Sequence, residues 1–172
     1  MKTCKNLNNY SYTQNMKRNG TIIIGIGNNL LSDDGVGPYL AEQIGQKLDF
    51  PHMSVTHLSL DLLDLVLGRR LIYIIDSFRN SEIPVGEVVQ FTLDDLEYRQ
   101  NPSYSHGITI PIIFNIGKKL YKSMPENAYF FGINVSDNQT ISESFSDELN
   151  PKLAEIRNYL FKKIQNDAGG KT

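Results

Sequence analysis

Two adjacent aspartates, Asp33 and Asp34, stand in the glycine-rich stretch Gly25-Ile26-Gly27-Asn28-Asn29-Leu30-Leu31-Ser32-Asp33-Asp34-Gly35-Val36-Gly37. The stretch follows the apolar run Thr21–Ile24. That order predicts a strand, a turn and the start of a helix. Free backbone N–H groups at a helix start suit an anion. Here the chain supplies its own carboxylates, which turns the expected chemistry away from phosphate and toward a cation or a proton. A further carboxylate, Asp76, closes the apolar run Leu71–Ile75. Burying it unpaired would be expensive. Of the three histidines, His106 lies in the polar stretch 97–107, just before a helical pattern. Two carboxylates and one imidazole form a donor set suited to zinc, nickel or iron. Three protein ligands leave positions open for water or substrate.

Each residue also has a plainer structural use. An acidic residue in a helix's first turn contributes about 0.3–1 kcal/mol. One aspartate is enough for that, so Asp33 is assigned to the cap and Asp34 to chemistry. For Asp76 the alternatives are a cap made by Ser77 or the backbone, or an ion pair with Arg79. His52 and His57 sit in polar surroundings and are read as surface or packing residues. The pair Gly25-x-Gly27 falls short of a dinucleotide fingerprint, because position 30 is Leu30. Two like charges about 4 Å apart also repel by roughly 4 kcal/mol at an effective dielectric of 20, which would oppose a pyrophosphate. No Gly-x-Ser-x-Gly elbow is present, and the single cysteine, Cys4, lies near the start of the chain. A nucleophilic hydrolase is therefore unsupported. Walker A, His-Glu-x-x-His and EF-hand patterns are absent as well.

The elements that must carry these residues alternate. Residues 21–26 read as a buried strand, and Val36, Leu40, Ile44 and Leu48 as a helix face. Pro38 is tolerated in that helix's first turn. Met53–Leu58 alternates as a strand, and Leu60–Leu67 reads as a short helix. Leu71–Ile75 is a second buried strand, ending at Asp76. Gly86–Phe91 is a strand suited to an edge. Ile112, Ile116 and Leu120 mark a helix with Pro111 near its start, and Tyr129–Ile133 is a last buried strand. Asn150 and Pro151 serve as N-cap and first residue of a helix whose inner face is Leu153, Ile156, Leu160 and Ile164. Gly169 and Gly170 fall beyond its end. Buried strands alternating with amphipathic helices predict an α/β three-layer sandwich, with a twisted, mainly parallel sheet flanked by helices on both faces. Such sheets work at the carboxyl ends of their strands. Asp34 and Asp76 should both face that edge.

The 172 residues suit one domain with a real core, predicted over 21–166. Residues 1–20 are expected to form a flexible polar tail, with Met16 a candidate natural start, and 167–172 a short C-terminal tail. A net charge of −2 gives no nucleic-acid or membrane footprint. No apolar run approaches the roughly 20 residues of a membrane span, and the N-terminus lacks the apolar core of a secretory signal. One cysteine excludes an internal disulfide and a cysteine-based zinc site. A monomer in a reducing cytoplasm is expected.

The pattern Gly25-x-Gly27-Asn28-x-Leu30-x-x-Asp33-Asp34-Gly35-x-Gly37 closely resembles the N-terminal motif of the [NiFe]-hydrogenase maturation endopeptidases. The resemblance continues through Ile75-Asp76, Ser105-His106-Gly107 and the strand Phe131-Gly132-Ile133, and covers about residues 21 to 165. It implies removal of a C-terminal peptide from the hydrogenase large-subunit precursor after nickel insertion. It also implies that Asp34, Asp76 and His106 contact the metal, which belongs to the precursor and acts as the recognition element. Many members carry an Asp-Gly-Gly-Thr-type stretch where this chain has Thr56–Leu63, with no glycine until Gly68. The segment thought to help select the substrate is therefore altered. Two other functions fit the same residues: a non-proteolytic chaperone of the nickel-loaded large subunit, and a small-molecule metallohydrolase.

Overall fold

The computed structural model describes residues 20–93, 95 and 109–169. Its centre is a five-stranded sheet made of β1 (Thr21–Ile26), β2 (His52–Val55), β3 (Leu71–Phe78), β4 (Val88–Thr92) and β5 (Asn127–Asn134). The spatial order is β2-β1-β3-β5-β4, parallel except for the antiparallel edge strand β4. Four helices join them: α1 (Val36–Leu48), α2 (Leu62–Val66), α3 (Thr109–Leu120) and α4 (Leu153–Gly169).

The sheet is parallel because its inner strands are apolar on both sides, which only a sheet covered twice tolerates. Every residue of β1 is buried. Alternation sends Ile23, Tyr73 and Ile75 into one core with α1 and α4, and Ile22, Ile24, Ile72 and Ile74 into another with α2 and α3. The three-layer expectation is met.

Connections out of β1 and β2 run to opposite sides. α1 leads from β1 to β2, whereas α2 leads from β2 back across to β3. The order of strands therefore switches between β1 and β3, and in open α/β sheets ligands bind in the crevice at such a point. Close packing seals the rear of this crevice. A Cβ on Gly37 would lie 2.5 Å from the Ile75 carbonyl oxygen and closer still to that of Ile26. Gly27, with φ of 139°, turns the chain out of β1 against the Asp34 carbonyl. Both walls at Gly37 are backbone and cannot give way. Gly37→Ala is expected to cost about 1–3 kcal/mol, read as a lower urea midpoint with unchanged slope.

Several boundaries and faces differ from the sequence expectation. β3 does not end at Asp76. Its pairing with β1 stops at Gly25–Ile75, but pairing with β5 continues through Asp76–Gly132 to Phe78–Asn134. β2 begins at His52 and stops at Val55, so Leu58 is outside it. On α3 the buried residues are Ile110, Ile113, Phe114 and Gly117, while Ile112 and Leu120 are exposed. The true face has the full i, i+3, i+4, i+7 spacing, and its last member was invisible to apolar counting because it is a glycine. There Met124 and Leu63 come within 2.6–2.7 Å of where a Cβ would stand. Asn150 is not an N-cap. It lies inside a short 3-10 turn, Asn150–Lys152, that leads into α4, and no side chain caps that turn. The inner face of α4 is as expected, with Leu153, Ile156, Leu160 and Ile164 all buried, but the helix includes Gly169.

Candidate active site

A single 3-10 turn, Ser32–Gly35, brings the paired aspartates to the crevice. Ser32 enters it with φ of 46°, uncommon for a residue with a side chain. Its N–H donates to the Ser142 carbonyl at 2.8 Å and its hydroxyl to that of Ser144 at 3.3 Å, which holds the kink. Beyond the kink the two aspartates diverge.

Asp34 turns toward the sheet. Its Oδ2 accepts the Asn28 N–H at 2.7 Å, and its Oδ1 accepts the Ser77 hydroxyl at 2.8 Å. Asp76 sits one residue past the end of β1 pairing, with Gly132 beside it on β5. Alternation places it on the face of Ile72 and Ile74, the face that α3 covers. Its Oδ1 accepts the Ser77 N–H at 2.8 Å, its only hydrogen-bond partner among the described residues. Ser77 therefore holds both carboxylates, one through its backbone and one through its hydroxyl. The backbone cap at Asp76 is as expected. The hydroxyl link to Asp34 was missed; its signal is a small hydroxyl residue at an inward strand position directly after a carboxylate. No ion pair joins Asp76 to Arg79, which is exposed.

Burial pushes the Asp76 carboxyl well above the usual carboxylate range, against the pull of the Ser77 N–H, and the nearby Asp34 charge adds to the rise. Two carboxyls in unlike environments, one of them inclined to keep its proton, form a pair suited to proton transfer or to holding a cation. The rise has a consequence for stability. A carboxyl that binds its proton more tightly when folded stabilises the fold fully below its unfolded value, near 3.8. That contribution is lost as pH rises through the folded value. Asp76→Asn keeps the Oδ1 acceptor and cannot ionise. At neutral pH it is expected to be more stable than the wild type by about 1 kcal/mol, with the gap closing toward pH 3–4. Urea unfolding across pH checks this, and a gap that does not change with pH would contradict the assignment.

Asp33 is not a helix cap. It is fully buried and faces away from the crevice, toward residues 136–146. Its Oδ1 accepts the Ser146 N–H at 2.7 Å, and its Oδ2 accepts the Ser146 hydroxyl at 2.8 Å and the Asp137 N–H at 3.3 Å. The Ser136 hydroxyl reaches the same oxygen at 3.4 Å. No side chain caps the Ser32–Gly35 turn or α1.

The third predicted ligand, His106, lies outside the described residues. Among the described residues no three His, Cys, Asp or Glu side chains converge on a metal-sized site. The chain returns from that segment into α3 at Thr109, on the face that carries Asp76.

The fold is that of the hydrogenase maturation endopeptidases whose structures have been solved. The E. coli hydrogenase maturating endopeptidase HybD superposes with a TM-score of 0.68 at 12% identity, over 86% of this chain and 93% of that one. The [NiFe] hydrogenase maturation protease HybD from Thermococcus kodakarensis gives 0.66 at 21% identity, over 83% and 97%. The protease HycI from Thermococcus kodakarensis KOD1 gives 0.63 at 15% identity, over 91% and 99%. No protein-family model and no curated protein matches the sequence.

Proposed function

We propose that the chain is an endopeptidase that removes the C-terminal extension of a [NiFe]-hydrogenase large-subunit precursor after nickel insertion. The observation that carries this reading is the Ser77 link, which fixes Asp34 and Asp76 together at the switch point of a fold shared with solved maturation proteases. In this reading the nickel arrives as part of the substrate, and Asp34, Asp76 and His106 are the groups that contact it. A divalent charge in the crevice favours the ionised form of Asp76, against the burial that raises its pKa. Nickel would polarise the scissile carbonyl, and one carboxylate would take the attacking water's proton and return it to the departing amine nitrogen as the C–N bond breaks. The protein acts as a cytoplasmic monomer. Among the described residues no helix is long and apolar enough to cross a membrane.

The test is a gel-mobility assay on the purified precursor with and without this protein. The nickel-loaded precursor is expected to shift to the shorter form, and the nickel-free precursor to remain intact. Binding of the loaded precursor without any shift would favour a chaperone. Tight metal in the isolated protein after chelation, with no effect on the precursor, would favour a metallohydrolase.

A further inference from the structure

A polar cavity of about 600 Å³ opens at the carboxyl ends of β3 and β5, starting at Phe78, two residues beyond Asp76. Loop 79–85 forms one wall and loop 136–139 the other. We infer that this cavity seats the segment leaving the substrate: a short polypeptide, bound on the C-terminal side of the scissile bond, that ends in or carries a carboxylate. The inference rests on the protease reading and assigns that reaction its peptide-binding subsite.

Three features fix the ligand's chemistry. Phe78, Ile83 and Val85 give the cavity an apolar floor. Arg79 stands at its rim, exposed; it feels the Asp137 carboxylate of the facing loop but forms no close ion pair with it among the described residues, so its planar fork can still take a carboxylate. The Asn138 side-chain oxygen is buried in the wall and has no hydrogen-bond partner among the described residues. An acceptor left that way is costly, and an incoming backbone N–H would satisfy it. An anion, an N–H donor and modest apolar contact are what a peptide segment provides together. The distance also fits. An extended chain advances about 3.3 Å per residue, so a peptide cut beside Asp76 reaches the cavity within two or three residues.

Hydrogen bonds hold both walls. The Asn134 side chain accepts the Asn80 N–H at 2.8 Å and donates to the carbonyls of Asn80 at 3.1 Å and Ile83 at 2.5 Å, which ties down the first loop. The second is held by Asp33 and by Asp137, whose Oδ1 accepts the N–H groups of Gln139 at 3.1 Å and Thr140 at 3.0 Å. A preformed site lowers the ordering cost of binding.

The test uses the full chain and a fluorescent synthetic peptide with the sequence of the precursor's C-terminal extension, read by anisotropy. Arg79→Gln and Asn138→Leu are each expected to weaken binding by about 10-fold at unchanged melting temperature. Amidating the peptide's carboxylates should weaken wild-type binding by a similar factor and leave Arg79→Gln little affected. Wild-type affinity in both variants, or no binding of the peptide to the wild type, overturns the inference. Binding is read without turnover. Failure of the protease reading therefore appears separately, as an unprocessed precursor beside an intact peptide-binding response.

Discussion

Asp34→Asn and His106→Ala are each expected to lower processing of the nickel-loaded precursor by about 10²–10⁴-fold while leaving the protein folded. At Asp34 the substitution keeps size and shape but removes the charge. One side-chain oxygen still accepts the Ser77 hydroxyl, but the new amide turns a donor toward the Asn28 N–H, where Oδ2 accepted before. The local cost is that of one hydrogen bond, about 1 kcal/mol, too little to unfold a domain of this size. In the proposed reaction the loss of charge is far larger in effect, because a neutral amide is a poor partner for a divalent ion. In the proposed set His106→Ala removes the one nitrogen donor. A time course of the precursor's mobility shift, with circular dichroism on each variant, measures both halves of the expectation. Wild-type rates in both variants would reject the assignment of these residues.

The elements that hold this site were legible wherever burial is complete. β1 and β3 lie between other strands and are covered on both faces, so their centres, 22–24 and 71–75, are unbroken apolar runs. α1 and α4 each press one clean stripe on the sheet. Asp34 and Asp76 followed from the rule that such sheets work at their carboxyl edge, and the structure brings both to one serine. Legibility ended where a contact depends on a residue with no apolar signal. The α3 face was misplaced because its last buried position is Gly117, and the end of β3 because Asp76 and Ser77 are polar residues inside a strand. Pairing with β5 alone extends β3 past Ile75, and no local pattern in 71–78 encodes that partner. Asp33 was misassigned for a related reason. Local spacing makes an acidic residue before a helix look like a cap, whereas its true partners lie more than a hundred positions away.

That long-range role sets the second large expectation. Asp33→Ala should destabilise the fold by about 3–5 kcal/mol, whereas loss of an ordinary cap costs only about 1. The carboxylate is fully buried and takes four hydrogen bonds from one loop. Removing it leaves the N–H groups of Ser146 and Asp137 without that acceptor, each at about 1–3 kcal/mol if they stay buried. Asp33→Asn should rescue little. Both carboxylate oxygens accept from backbone N–H groups, so either orientation of the amide sets a donor against a donor. Urea unfolding gives the magnitude, and hydrogen exchange at Ser146 and Asp137 gives the location. Loss confined to the first turn of α1, with protection at 137 and 146 unchanged, would return Asp33 to the capping role. The same loop forms one wall of the cavity beside Asp76, so the loosened variant should also bind the extension peptide more weakly than the wild type. Neighbouring acids thus divide the labour: Asp34 turns to the sheet and the Ser77 hydroxyl, and Asp33 fixes the loop that walls the cavity.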